Sequence, residues 1–115
     1  MRILVVEDNA LIAFDVADAL RQMGFEVIGP ATTLDEAIDL ADLEAPDGAI
    51  LDIDMGRSET TFDLARRLVA DGKVVMFLTG HSAAVLALPE DLQTVRRFLK
   101  PYDRHEVMDE FAKLI

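Results

Sequence analysis

Short apolar runs alternate with amphipathic stretches along the chain. Ile3–Val6 is a continuous apolar run, which predicts a strand buried on both faces. From Ala10 to Met23 apolar residues recur at helical spacing, and Gly24 ends that predicted helix. Comparable apolar runs predict further strands at residues 25–28, 49–52, 73–78 and 95–99.

Turn and capping signals separate these runs. Gly29-Pro30 predicts a turn after the second strand. Thr33 and Glu36 form a capping box, which predicts the start of the second helix. Ser58 is expected to cap the third helix and Asp103 the last one. Five strands alternating with helices predict an α/β fold, in which right-handed crossovers build a parallel sheet covered on both faces.

Composition narrows the class of protein. A chain of 115 residues that is 51% hydrophobic has room for one domain, expected over residues 1–115. Its formal net charge of -11 disfavours nucleic acid and anionic membranes as partners. Cysteine is absent and no signal peptide is recognisable, so we expect a cytoplasmic protein.

Polar residues occupy the carboxyl ends of four of the predicted strands. They are Glu7-Asp8, Asp52, Thr79 and Lys100. In open parallel sheets ligands bind beyond these strand ends, so we expect these side chains to converge. Three neighbouring carboxylates repel one another unless a hard cation lies between them, which predicts a site for Mg²⁺ or Mn²⁺. Asp8 and Asp52 are the expected direct ligands, with Glu7 acting through water.

The same residues suit phosphoryl transfer. A carboxylate can act as a nucleophile and form an aspartyl phosphate, and Asp52 is the candidate. Lys100 and the Thr79 hydroxyl would then stabilise the phosphoryl oxygens. Taken singly, each signal has a structural explanation, such as helix capping by Asp8 or Asn9. Their occurrence at four strand ends favours the functional interpretation.

The order Glu7-Asp8, Asp52, Thr79 and Lys100-Pro101 resembles the response regulator receiver family over the whole chain. The resemblance implies a (βα)5 doubly wound, flavodoxin-like (CheY-like) sheet of strand order 2-1-3-4-5. It implies a two-component receiver that is phosphorylated on Asp52 and is not an enzyme beyond its own phosphotransfer and slow autodephosphorylation. It also implies that the backbone carbonyl of Asp54 is a metal ligand and that a cis peptide before Pro101 aims Lys100.

Two positions depart from the pattern of the family. Gly56 stands where the family usually has proline, and Arg97 stands where it usually has the aromatic switch residue. Phe98 should point to the opposite face of its strand, so we consider Arg97 a candidate switch. His81, close after Thr79, is a second candidate, for tuning the access of water to the phosphoryl group.

Longer stretches are similar to the FATGUY subgroup of receivers, which occurs in alphaproteobacteria beside HWE-type kinases and in general stress signalling. They are residues 52–56, 77–80, 88–89 and 98–101. This resemblance implies a histidine kinase of the HWE type, or a histidine phosphotransfer protein, as the phosphoryl donor.

Two alternatives remain open on the sequence. Asp52 and Asp54 also resemble the DxD nucleophile motif of haloacid dehalogenase-type phosphatases, although Glu7-Asp8 would have no role there. The residue at position 97 leaves a third possibility, a receiver-like binding module that works without phosphorylation.

Overall fold

Five parallel strands form one sheet in the computed structural model, which describes residues 1–57, 59–80, 88–99 and 103–115. The strands are β1 (Arg2–Val6), β2 (Glu26–Ala31), β3 (Gly48–Asp52), β4 (Val74–Thr79) and β5 (Arg96–Leu99). Their order is β2-β1-β3-β4-β5, and every neighbouring pair is parallel. The predicted α/β class and strand order are therefore confirmed.

Helices cover both faces of this sheet. They are α1 (Ala10–Gln22), α2 (Leu34–Glu44), α3 (Phe62–Ala70), a 3-10 helix (Glu90–Leu92) and α4 (Arg104–Ala112). One apolar core packs α2 and α3 against the sheet, and the other packs α1 and α4 against the opposite face. Every residue of β3 is buried, as expected for a strand between two helical layers. Among the helices of the described residues, none combines the length and hydrophobicity that a membrane span requires.

The prediction of a turn at Gly29-Pro30 is wrong, because β2 continues through both residues to Ala31. The pairing with β1 shifts there, from Leu4 opposite Ile28 to Val6 opposite Ala31, which marks a bulge. Gly29 has φ +91°, and a Cβ on it would lie 2.6 Å from the backbone nitrogen of Ala31. As an edge strand, β2 tolerates the missing N–H of proline.

The predicted caps of the second and last helices are confirmed, and that of the third is wrong. Thr33 accepts a hydrogen bond from the Glu36 N–H at 3.2 Å, and the Asp103 carboxylate caps α4. The third helix begins at Phe62, and its N-cap residue is Thr61 in place of Ser58. Ser58 itself lies outside the described residues, as do residues 81–87 and 100–102.

Candidate functional site

Strand register places the acidic and hydroxyl side chains at one edge of the sheet. Val6 pairs with Leu51, so that Glu7 follows β1 beside the end of β3, where Asp52 stands. Asp52 in turn pairs with Leu78, the residue before Thr79 on β4. Three of the four strand ends expected to converge therefore lie side by side.

The carboxylates of Glu7, Asp8 and Asp52 form a cluster in which one oxygen of each lies within 4.8 Å of the others. Glu7 is 2% exposed and Asp52 5% exposed, whereas Asp8 is exposed to solvent. Two buried carboxylates this close to a third are costly unless positive charge compensates them. The donor set therefore fits a hard divalent cation, which takes carboxylate oxygens and keeps several waters.

An open cavity of about 490 Å³ lies over this cluster. Its lining residues are Asp8, Asn9, Ile12, Asp52, Asp54, Gly56, Thr79 and Gly80. The cavity has room for a phosphoryl group together with water, and it brings together Asp8, Asp52 and Thr79 as predicted. The predictions for Lys100, Pro101 and His81 fall outside the described residues and stay predictions.

Helix α1 is capped by Asn9, not by Asp8. The Asn9 side chain accepts hydrogen bonds from the N–H groups of Leu11 at 3.0 Å and Ile12 at 3.2 Å. The Asn9 N–H donates to the Glu7 carboxylate at 3.4 Å. Capping therefore does not account for Asp8, whose carboxylate belongs to the acidic cluster.

The loop after β3 bends sharply at Gly56. The Gly56 N–H donates to the carboxylate of Asp54 at 2.9 Å, and Gly56 itself has φ +78°. Proline can supply neither feature, since its ring fixes φ near -65° and it has no N–H. The departure from the usual proline at this position thus goes with a turn that proline could not form.

Two segments of the same loop, residues 53–55 and 59–61, pair as a short antiparallel ladder. The Met55 N–H donates to the Glu59 carbonyl at 3.0 Å, and the Thr61 N–H donates to the Ile53 carbonyl at 3.1 Å. Asp54 pairs with residue 60 between these two bonds. In a non-hydrogen-bonded pair of this kind the carbonyl of Asp54 points away from its partner, which suits the predicted metal ligand. That role stays a prediction.

Sequence reasoning missed Thr61. Its hydroxyl donates to the backbone carbonyl of Asp52 at 2.6 Å, and the residue is completely buried. The available signal was a threonine directly before the apolar stripe of α3, which indicates a helix cap. Nothing in the sequence indicates that its hydroxyl reaches the residue at the end of β3.

Arg97 and Phe98 occupy opposite faces of β5. Phe98 packs against the core formed with α1 and α4, as strand alternation predicted. Arg97 is exposed, and its guanidinium donates to the carbonyl of Gln93 at 2.9 Å. A switching role for Arg97 stays a prediction.

A doubly wound sheet with an acidic cluster at the end of its central strand is the arrangement expected of a receiver. The model of the response regulator receiver domain family matches residues 3–112, and the chain belongs to that family. It is a receiver of two-component signalling. Receiver domains typically bind Mg²⁺ at an acidic pocket and take their phosphoryl group from donors such as histidine kinases, and the acidic cluster found here could hold such an ion.

Curated relatives match parts of the chain. The transcriptional regulatory protein PdtaR of Mycobacterium tuberculosis is 45% identical over 58 residues, 50% of this chain and 28% of that protein. The phyllosphere-induced regulator PhyR of Methylorubrum extorquens is 35% identical over 81 residues, 69% of this chain and 30% of that protein. The chain thus spans less than a third of these relatives.

Solved structures match the fold over nearly all of the chain. The solution structure of SdrG from Sphingomonas melonis Fr1 has a TM-score of 0.82 at 27% identity, covering 99% of this chain and 95% of that one. The crystal structure of the response regulator PhyR from Brucella abortus has a TM-score of 0.83 at 28% identity, covering 98% of this chain and 46% of that one. None of these matches names the FATGUY subgroup, which stays a prediction.

Proposed function

We propose that residues 1–115 act as one cytoplasmic receiver domain, in which Asp52 accepts a phosphoryl group in a Mg²⁺-dependent reaction. The donor would be a histidine kinase, of the HWE type under the subgroup resemblance, or a histidine phosphotransfer protein. The output would be protein–protein contact. The observation that carries this proposal is the buried Asp52 carboxylate at the end of the central strand, clustered with Glu7 and Asp8 and beside Thr79.

In the proposed reaction a carboxylate oxygen of Asp52 attacks the phosphorus of a phosphohistidine. The new P–O bond forms as the P–N bond breaks, and the imidazole keeps the electron pair and later takes up a proton. Hydrolysis would return the Asp52 carboxylate and release inorganic phosphate. The Thr79 hydroxyl and the Lys100 ammonium are the proposed donors to the phosphoryl oxygens.

The chain would hold the cation with the carboxylates of Asp8 and Asp52 and the backbone carbonyl of Asp54, while Glu7 would act through water. When bound, a divalent cation neutralises charge in the cluster and on the incoming phosphoryl group. The gathering of the Glu7, Asp8 and Asp52 carboxylates into one cluster supports this assignment, since a hard divalent cation takes carboxylate oxygens.

The exposed side of helix α1 supports a protein as the donor. Leu11 is 83% exposed and Phe14 63% exposed, one turn apart on α1, the helix that also contributes Ile12 to the cavity. Exposed apolar side chains grouped on one surface are typical of surfaces that contact another protein. A small phosphomonoester would gain nothing from them.

The phosphatase alternative finds less support. The Asp54 carboxylate, which would be its second catalytic acid, accepts the N–H of Gly56 within a local turn. Glu7 and Asp8 would also be unexplained, although they form the acidic cluster together with Asp52.

Phosphotransfer from a panel of phosphorylated histidine kinases, and from acetyl phosphate, tests the proposal. We expect one hydroxylamine-sensitive phosphoryl group per chain, dependent on Mg²⁺ and lost in Asp52→Asn. Asp54→Asn is the matched control and should still be labelled, because only its backbone carbonyl is assigned a role. Labelling that persists in Asp52→Asn would refute the assignment, and rapid turnover of phosphomonoesters would favour the phosphatase.

For the phosphorylation-independent alternative, the readout is the amide spectrum with and without beryllium fluoride. A phosphoacceptor switch should show shifts beyond the immediate surroundings of Asp52. Arg97→Ala should reduce those distant shifts if Arg97 is the switch, while labelling of Asp52 survives. A spectrum that does not change in wild type would support the binding module.

A further inference from the structure

Two threonines precede helices that follow strands of the sheet, and only one of them caps its helix. The Thr33 side chain accepts from the N–H of Glu36, as an N-cap threonine ordinarily does. Thr61 occupies the N-cap position of α3 and makes no side-chain capping bond. Its backbone, with φ -89° and ψ 12°, lacks the extended conformation of Thr33.

The hydroxyl of Thr61 instead forms a hydrogen bond with the last residue of β3. It donates to the carbonyl oxygen of Asp52 at 2.6 Å, while the N–H of the same residue donates to the carbonyl of Ile53 at 3.1 Å. Thr61 thus binds two consecutive carbonyls where β3 passes into the loop. Its exposed fraction is 0%, so solvent does not compete for either bond.

We infer that Thr61 is a positioning residue for the cation site, an inference that rests on the function proposed above. Its hydroxyl fixes the peptide group of Asp52, and its N–H fixes the peptide group before Asp54. Asp52 would supply its carboxylate, and Asp54 its backbone carbonyl, to the same ion. Mg²⁺ requires near-ideal octahedral geometry, so restraint of two ligands on one loop raises affinity. Partners that hydrogen-bond to metal-binding residues commonly have this effect.

Metal affinity of the full chain tests the inference without any phosphoryl donor. Mg²⁺ is titrated by calorimetry and Mn²⁺ by electron paramagnetic resonance. We expect Thr61→Val, which keeps the shape and removes the hydroxyl, to bind Mg²⁺ at least about tenfold more weakly. Thr61→Ser should rescue affinity to within about twofold of wild type, since it keeps the donor. Thr33→Val is the matched control and should bind like wild type.

Labelling from acetyl phosphate provides a second readout. In Thr61→Val the rate should be low at Mg²⁺ concentrations near the wild-type dissociation constant and should recover at saturating Mg²⁺. A general loss of folded protein would instead lower the rate at every Mg²⁺ concentration. If Thr61→Val does not fold, Thr61→Ala replaces it, because its smaller side chain lets water reach the Asp52 carbonyl, and the same loss of affinity is expected.

Wild-type Mg²⁺ affinity in Thr61→Val or Thr61→Ala would overturn the inference, as would a loss in Thr33→Val equal to that in Thr61→Val. The proposed function fails by a different observation, namely wild-type protein that no donor labels on Asp52. In that case the metal titrations would still decide whether Thr61 shapes the cation site.

Discussion

The corners that follow β2 and β3 make the same connection in different ways. Residues 32–33 join β2 to α2, and Thr33 caps that helix. Residues 53–61 join β3 to α3, and Thr61 turns its hydroxyl back onto Asp52. The first corner stabilises its own helix, whereas in the second the side chain of the N-cap residue Thr61 does not cap α3 and instead stabilises the loop beside the acidic cluster.

The difference between the two corners shows how the chain builds the candidate site at one edge of the sheet. The β2 corner contributes no cavity-lining residue, whereas the β3 corner contributes Asp54 and Gly56 to the cavity, next to Asp52 at the end of β3. At the second corner the N-cap side chain gives up its capping bond to hold the loop of the site, and departures of this kind from local rules are common at functional sites. Substitutions at the two corners should therefore change different properties.

The largest effect is expected for Gly56→Pro, which introduces the residue usual in the family. Proline cannot adopt φ +78° or donate to Asp54, so the turn must rearrange, at an expected cost of about 3 kcal/mol. The loss in the free energy of unfolding is measured by denaturation in urea. Gly72→Ala is the control, because Gly72 has φ +75° and open space around it. The free energy of unfolding of this variant should fall by about 1–2 kcal/mol. A Gly56→Pro variant as stable as wild type would contradict the assigned turn.

The valine substitutions come next. Thr61→Val leaves a buried carbonyl without its hydroxyl donor and should lower the free energy of unfolding by about 2 kcal/mol. Thr33→Val removes an exposed cap and should cost about 1 kcal/mol. Both are measured by denaturant unfolding at fixed pH and salt. The comparison of the two corners breaks down if Thr33→Val proves the more destabilising variant.

The smallest effect concerns an exposed ion pair on α3, the helix that follows the β3 corner. Arg66 of α3 donates to Asp91 of the 3-10 helix at 2.8 Å, and this hydrogen bond holds the pKa of Asp91 below its ordinary value of 3.8. A carboxyl with a lowered folded pKa stabilises the protein above its unfolded pKa and loses this contribution as pH falls through the folded value. Unfolding measured between pH 5 and pH 3 should therefore depend slightly less on pH in Asp91→Asn. An identical pH dependence would exclude the contribution.

The strand ends could be predicted from sequence because burial leaves a clear pattern. Apolar runs ended by Glu7-Asp8, Asp52 and Thr79 marked the edge of the sheet where these residues meet. Gly29-Pro30 misled, since the same two residues serve a turn or a bulge in an edge strand, and only the neighbouring strand decides. The third cap was placed on Ser58 because a serine ahead of an apolar stripe is a capping signal, whereas the helix begins at Phe62 with Thr61 at its N-cap position.

Asp52 belongs to the middle strand of five, and this position has a consequence for amide hydrogen exchange. The amides of Ile50 and Leu51, buried between two neighbouring strands, should exchange only when the whole domain opens. β5 lies at the edge with four mostly exposed residues and should open at a lower free energy. The proposed phosphoacceptor is thus attached to the part of the backbone expected to open last, and a response to its modification would be carried by elements nearer the edge of the sheet.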